Sequence, residues 1–260
     1  MLLVLSPSKA LNFAEPPIQA AVTTPELKDD IAILAERAKR LRPFELKRMM
    51  SISDELAKLN RDRFQAFDAA SDDGLQAIFA FNGDVYRGLQ GRTLDKAGLK
   101  WAQDHIRILS GLYGLLRPLD VIQPYRLEMG VRLKTKRGSR LYDFWGDRIA
   151  KALNSAGEGH KHRQIVNLAS QEYFGGVDRK ALNWPVITCH FLEEKDGEAR
   201  VISFFAKVAR GLMARYAADT KAKEAEDLKS FDYGGYSFRP EQSTDDDWVF
   251  QRPQPPPARR

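Results

Sequence analysis

A chain of 260 residues, 43% hydrophobic and 29% charged, has an ordinary globular balance and is long enough for one large domain or two small ones. No apolar run approaches the roughly 20 residues that cross a bilayer, and Met1-Leu-Leu-Val-Leu-Ser-Pro lacks the basic region and cleavage site of a secretory signal, so no membrane is expected as a partner. The net charge of +6 admits a basic face for nucleic acid, while the single cysteine, Cys189, excludes an intramolecular disulfide and fits a reducing compartment, hence the cytoplasm.

Leu2–Leu5 reads as a buried strand closed by the loop Ser6-Pro7-Ser8-Lys9, because proline removes a pairing donor. Thr24-Pro25-Glu26 predicts a helix start, with Ile31, Leu34, Ala38 and Leu41 on one face. Ser53-Asp-Glu-Leu56 opens a second helix that runs through Phe64 and Phe67 to the turn at Ser71–Gly74. Ala77–Phe81 reads as a short strand, Val85–Leu89 as a short helix and Leu99–Leu109 as a helix, after which Gly111 and Gly114 force a turn. Leu141-Tyr142-Asp143 leads into a helix to about Leu153, ended by Gly157-Glu158-Gly159, and Ile165–Leu168 is a buried strand.

Val186–Leu192 and Ala199–Phe204 flank Lys195-Asp196-Gly197, a strong hairpin signal because both turn residues tolerate positive φ. Phe205–Tyr216 is a helix, and the proline-rich residues 251–260 are expected to be a disordered tail. With no internal repeat and no linker, residues 1–250 are expected to form a single α/β domain (mixed α+β): a central sheet with surrounding helices.

The densest basic segment contains Arg126, Arg132, Lys134, Lys136, Arg137 and Arg140 against one acid, Glu128. Cations at this density neutralise several phosphates, although a solvated basic loop has the same letters. Just before it, Leu109-Ser-Gly-Leu-Tyr-Gly-Leu-Leu-Arg-Pro-Leu-Asp120 places Gly111 and Gly114 so that backbone N–H groups can approach a phosphate, in the manner of a helix-hairpin-helix element, with Arg117 beside them. A helix C-cap and turn is the plainer reading of those glycines. A second basic run, Arg37, Lys39, Arg40, Arg42, Lys47 and Arg48, reads as an exposed helix face unless it lies beside the first.

Two strand ends carry polar groups: Ser6, Ser8 and Lys9 after the first strand, and Asn167, Ser170 and Glu172 after Ile165–Leu168. Such ends are where α/β proteins place ligands, and Lys9 would be a nucleophile if desolvated; a capped loop and a helix start explain the same residues. His105, His160, His162 and His190 have no zinc spacing, and no glycine fingerprint for a dinucleotide follows a strand, so neither a metal nor a cofactor is expected.

Taken together, Leu5-Ser-Pro-Ser-Lys9, Phe81-Asn-Gly-Asp-Val-Tyr-Arg-Gly-Leu89, the Leu109–Asp120 segment, Pro124-Tyr-Arg-Leu-Glu-Met-Gly130, Leu141-Tyr-Asp-Phe-Trp145, Asn167-Leu-Ala-Ser170 and Phe231-Asp-Tyr-Gly-Gly-Tyr-Ser-Phe238 resemble the YaaA family of bacterial peroxide-stress proteins. The resemblance implies a cytoplasmic protein that keeps unincorporated iron low and suppresses oxidative DNA damage. It also implies an α/β fold with a positively charged cleft, a helix-hairpin-helix element and binding to double-stranded or distorted DNA. Ser6, Ser8, Lys9, Asn82, Asn167 and Ser170 are matched to its segments as cleft candidates, with no catalytic role attached.

Three functions follow as expectations. The first is a DNA-binding protein that uses Gly111, Gly114, Arg117, Arg126, Arg132, Lys134, Lys136 and Arg137, with no protein partner implied. The second is an enzyme acting on a nucleobase or nucleic-acid strand with Lys9 in its site. The third is an iron-binding module, for which Asp245–Asp247 and Glu224–Asp227 are the only carboxylate clusters, both also explained as solvated faces.

Overall fold

The computed structural model describes residues 1–256. The apolar run Leu2–Leu5 forms strand β1, with every residue buried, in the interior of the sheet between two parallel neighbours. After it come helices α1 (Lys28–Lys39), α2 (Pro43–Met50) and α3 (Asp54–Ala66), the last capped by the Ser53 hydroxyl as its sequence predicts. Thr24 and Pro25 do not start α1, contrary to the sequence reading; Leu27 occupies the cap position, and the Thr24 carbonyl instead accepts a hydrogen bond from Arg117. α2 is an addition, signalled by Pro43 at its first turn and by Glu45 accepting from the Arg42 N–H.

Two further elements depart from expectation. After β2 (Leu75–Gln76), the run at Ala77–Phe81 is not a strand: Ala77–Ala80 close one helical turn, α4, with the Phe81 N–H donating to the Ala77 carbonyl at 3.0 Å. All of these residues are buried, and a short, wholly apolar run has no periodicity to separate strand from helix. Helix α5 (Asp84–Leu89) forms as expected. Helix α6 (Lys96–His105), however, stops before Ile106, and Ile106–Ser110 become strand β3. β-Branched Ile106 and Ile108 pair in register with Leu3 and Leu5, and this sheet contact overrides a helical spacing that continues through them.

Strand β4 (Gly114–Leu116) turns back antiparallel on β3, and β5 (Val121–Ile122) pairs with β2 in a separate two-stranded sheet. The helix expected from Leu141 breaks at Gly146 into α7 (Leu141–Trp145) and α8 (Arg148–Gly157). Strand β6 (Ile165–Leu168) and helix α9 (Gln171–Phe174) precede β7 (Val186–Lys195), which turns through Asp196 (φ 54°) and Gly197 (φ 82°) into β8 (Glu198–Arg200). Helix α10 (Ser203–Thr220) follows, and the chain closes with β9 (Ser237–Phe238) and β10 (Asp247–Pro253).

The main sheet runs β4-β3-β1-β6-β7-β10-β9, with β8 attached to β7. β3, β1, β6, β7 and β10 are parallel along that order, and β4, β8 and β9 run against their partners, so the fold is α/β with a mixed sheet and one hydrophobic core drawn from Met1 to Phe250. The expected tail is partly structured: Gln251, Arg252 and Pro253 complete β10, and the Gln254 N–H donates to the Glu194 carbonyl at 2.8 Å. The remainder of that expectation, residues 257–260, lies outside the described residues. No helix among the described residues is long and apolar enough to cross a membrane.

Helices α5 and α10 touch backbone to backbone. A Cβ on Gly211 would stand 1.8 Å from the Val85 carbonyl oxygen, and one on Gly88 would stand 2.1 Å from that of Val208. Glycine at both positions lets α10 lie close across α5 and carry Lys207 and Arg210 to the ends of the central strands.

Candidate functional site

β1 leads away to β3 on one side, whereas its neighbour β6 leads to β7 on the other. The carboxyl ends of such a pair leave a crevice, because the two departing chains diverge. Here that crevice is a cleft of about 410 Å³ between the Ser6–Ala10 loop, the start of α5, the Ser170–Tyr173 segment and α10.

Its floor is a relay of hydroxyls. Ser6 Oγ accepts the Ser170 N–H at 2.9 Å and lies 3.4 Å from Ser170 Oγ, which in turn accepts the Tyr173 N–H. Ser8 Oγ donates to the Asn82 carbonyl at 2.7 Å and accepts from the Ala10 N–H; a side chain at Gly83 would collide with it at 2.4 Å. The buried Tyr86 hydroxyl donates to the Ser6 carbonyl at 3.1 Å, and burial raises its pKa, as it does that of Tyr173, so both walls are neutral.

Ser6, Ser8, Lys9 and Ser170 therefore line the cleft together. Asn167 does not: its Oδ1 accepts the Ala169 N–H at 2.9 Å and its Nδ2 lies 3.5 Å from Thr188 Oγ1, which shapes the exit of β6 from inside. Asn82 offers the cleft only its carbonyl, through Ser8, while its exposed side chain borders a neighbouring hollow. The desolvation that would make Lys9 a nucleophile is missing, since its side chain is 61% exposed and its ammonium lies 3.4 Å from Glu128. That carboxylate also takes Arg126 at 2.9 Å. Lys207 and Arg210 of α10, which the sequence reading passed over, complete the lining; two cations one turn apart in the largely apolar first half of the helix were the available signal.

The basic residues sort into three groups. Arg117 is a structural tie, bonded to Asp120 at 2.9 Å, to Glu26 at 3.2 Å and to the Thr24 carbonyl at 2.8 Å. Arg126 is held by Glu128, and Arg137 pairs with Asp30 while its guanidinium covers the Phe144 ring. Arg132, Lys134 and Lys136 are exposed, alternating with buried Val131 and Leu133.

The glycine pair is the clearest correction. Gly111 and Gly114 sit in the turn of the β3–β4 hairpin, flanked by strands where a helix-hairpin-helix needs helices. Both are buried: a Cβ at Gly111 would lie 2.2 Å from the Leu127 carbonyl oxygen, and one at Gly114 would lie 2.6 Å from the Trp145 ring. Their spacing serves close packing in a strand hairpin, with Leu127 and Trp145 against their α-carbons.

The second basic run, in contrast, does reach the first. Arg37 of α1 donates from Nε to the Lys134 carbonyl at 2.9 Å. A groove of about 430 Å³ opens there, with Arg37 and Arg48 on one wall, Arg132 and Lys134 on the other, and Glu45 as its only acid. A second hollow of about 530 Å³ continues past Arg40 and Lys136. At its other end the groove meets the cleft, where the Gly130 N–H donates to Glu172 Oε1 at 3.1 Å.

Among the described residues no three histidine, cysteine, aspartate or glutamate side chains are grouped as metal ligands. His160 contacts the Asp104 carbonyl while His162 pairs with Glu224 at 3.1 Å, and Asp247 pairs with His190 at 2.7 Å. Cys189 is buried in β7, and burial pushes its thiol up to about 12. A thiolate is the species that peroxide oxidises. The folded protein is therefore expected to react with a thiol-directed dye only at the rate of unfolding, measured with and without denaturant; prompt labelling of the native protein would contradict this burial.

The family model described as peroxide stress protein YaaA matches residues 1–242. A UPF0246 protein of Phenylobacterium zucineum (strain HLK1) is 65% identical over 257 residues, covering 99% of this chain and 97% of the relative. Another from Caulobacter vibrioides (strain NA1000 / CB15N) is 62% identical over 98% of this chain and 100% of its own length. One from Maricaulis maris (strain MCS10) is 54% identical over 99% and 98%.

Proposed function

Because this chain belongs to the family of the peroxide stress protein YaaA, we propose that its part in peroxide stress is played on DNA, as a protein that binds double-stranded or distorted DNA along its basic groove and limits oxidative damage there. The observation that carries this reading is the junction of the two basic runs: Arg37, Arg48, Arg132 and Lys134 face one channel of about 430 Å³ with a single acid. Arginine and lysine so placed meet phosphates in preference to base edges, so the binding is to backbone shape with little sequence preference. On this reading the protection reaches DNA directly, and any lowering of unincorporated iron is indirect.

The groove ends at the cleft beyond Glu172 and Gly130, which supports a second reading in which a strand or an extruded base is delivered to the Ser6–Lys9 loop. Lys9 would serve there as an exposed electrostatic clamp. Fluorescence anisotropy with duplex, bent and junction DNA over a salt series tests the first reading. For about four phosphate contacts, log K is expected to fall with log salt with a slope of about −3 to −4. Binding that stays level from low to physiological salt would remove the phosphate model.

A further inference from the structure

Two cations at the cleft are unused. Lys207 and Arg210, one helical turn apart on α10, have no carboxylate within 4 Å among the described residues, and Arg210 Nε is buried without a hydrogen-bond partner. A guanidinium left in this way costs the fold desolvation that nothing in the protein offsets, and its pKa is lowered chiefly by that burial. The cleft's two acids are occupied elsewhere: Asp84 lies 3.6 Å from Arg87, and Glu172 accepts the Gly130 N–H. Lys9 is already shared with Glu128. The hydroxyl relay points the same way, since Ser170 Oγ accepts from the Tyr173 N–H and from Ser6, which leaves its own proton for a ligand.

We propose that this cleft binds a phosphate monoester of nucleotide size, its phosphate held between Arg210, Lys207 and the Ser170 hydroxyl. Charge selects this class. Two unpaired cations match the charge of about −1.5 to −2 that a monoester carries near neutral pH, whereas a backbone diester offers one. Size agrees, because about 410 Å³ falls within the range of small-molecule sites. The neutral Tyr86 and Tyr173 leave the rest of the wall suited to an uncharged sugar or base. This site shares no lining residue with the groove it adjoins, and binding of a monoester there does not depend on DNA binding in the groove.

Isothermal titration of the full chain with deoxyadenosine 5′-monophosphate, and with deoxyadenosine as control, tests it. The monophosphate is expected to bind at least about tenfold tighter than the nucleoside, and Arg210→Gln and Lys207→Gln are each expected to weaken it by about tenfold or more, the usual weight of a charge-assisted hydrogen bond. Lys207 is exposed, so its variant keeps the test informative if Arg210→Gln fails to fold. A short single strand with and without a 5′-phosphate distinguishes a DNA end from a free nucleotide as the source of the monoester; tighter binding of either phosphorylated probe supports the site. Equal affinity for nucleotide and nucleoside, no binding of any phosphorylated probe, or unchanged affinity in folded Lys207→Gln overturns it. Loss of DNA binding in groove variants that still bind the monophosphate would touch only the DNA reading.

Discussion

Replacing Arg37, Arg48, Arg132 and Lys134 together by alanine is expected to weaken duplex binding about 500- to 4000-fold at ~0.1 M salt and to flatten the salt slope by about 3 to 4. The magnitude follows from counterion release. Each phosphate contact contributes an exponent of about 0.9, or roughly eightfold at ~0.1 M, and four contacts compound. The lower bound allows for Arg37, whose guanidinium already spends one N–H on the Lys134 carbonyl. Lys100 and Lys195 are exposed cations away from the groove, and alanine there is expected to change affinity by less than about threefold, as long-range charge alone does. Arg117→Ala separates structure from binding: it removes the ties to Asp120 and Glu26 and lowers the melting temperature while leaving the slope intact. If the fourfold variant bound with wild-type affinity and slope, the groove would not be the DNA surface.

Gly211→Ala is expected to destabilise the fold by about 3 kcal/mol or more, the upper range for forcing volume into a packed interior, and to lower the melting temperature by roughly 6–12 °C. Helix propensity alone favours the substitution by about 1 kcal/mol. Geometry decides against it: the added methyl would stand 1.8 Å from the Val85 carbonyl oxygen and 2.7 Å from the Leu89 nitrogen, both backbone atoms of α5 with no rotamer to move aside. The only relief is to push α10 off α5, which draws Lys207 and Arg210 away from the strand ends. Gly159, with nothing within 4 Å of the place its Cβ would take, is the matched control and is expected to accept alanine within about 0.5 kcal/mol. A Gly211→Ala protein as stable as wild type would mean that the two helices are not held at this distance.

Much of this was legible in the chain. Leu2–Leu5 are apolar on every residue and Ile165–Leu168 on all but Asn167, as wholly buried parallel strands are, and the polar groups that stop them, Ser6 to Lys9 and Ser170, mark the cleft. The Asp196-Gly197 hairpin was fixed by backbone chemistry alone. What local pattern misjudged was decided by distant partners. Ile106 and Ile108 continue a helical spacing but are recruited by β1, whose residues lie about a hundred positions earlier. Gly111 and Gly114 have the spacing of an anion-binding turn, yet they belong to a strand hairpin packed tightly against Leu127 and Trp145. Arg210 was invisible as a site residue because its place depends on the Gly88–Gly211 crossing, a contact between segments more than a hundred residues apart. Arg37 and Lys134 met for the same reason, through the packing of α1 rather than through any signal in either segment.

The central position of β1 also sets an order on synthesis. Leu2–Leu5 are made before both of their partners, Ile106–Ile108 and Ile165–Leu168. At about 5–20 residues per second, the interval between the first strand and its second neighbour is roughly 8 to 30 seconds. Through that time an apolar tetrapeptide of the nascent chain has no sheet to join. That segment has to be shielded until the middle of the chain arrives.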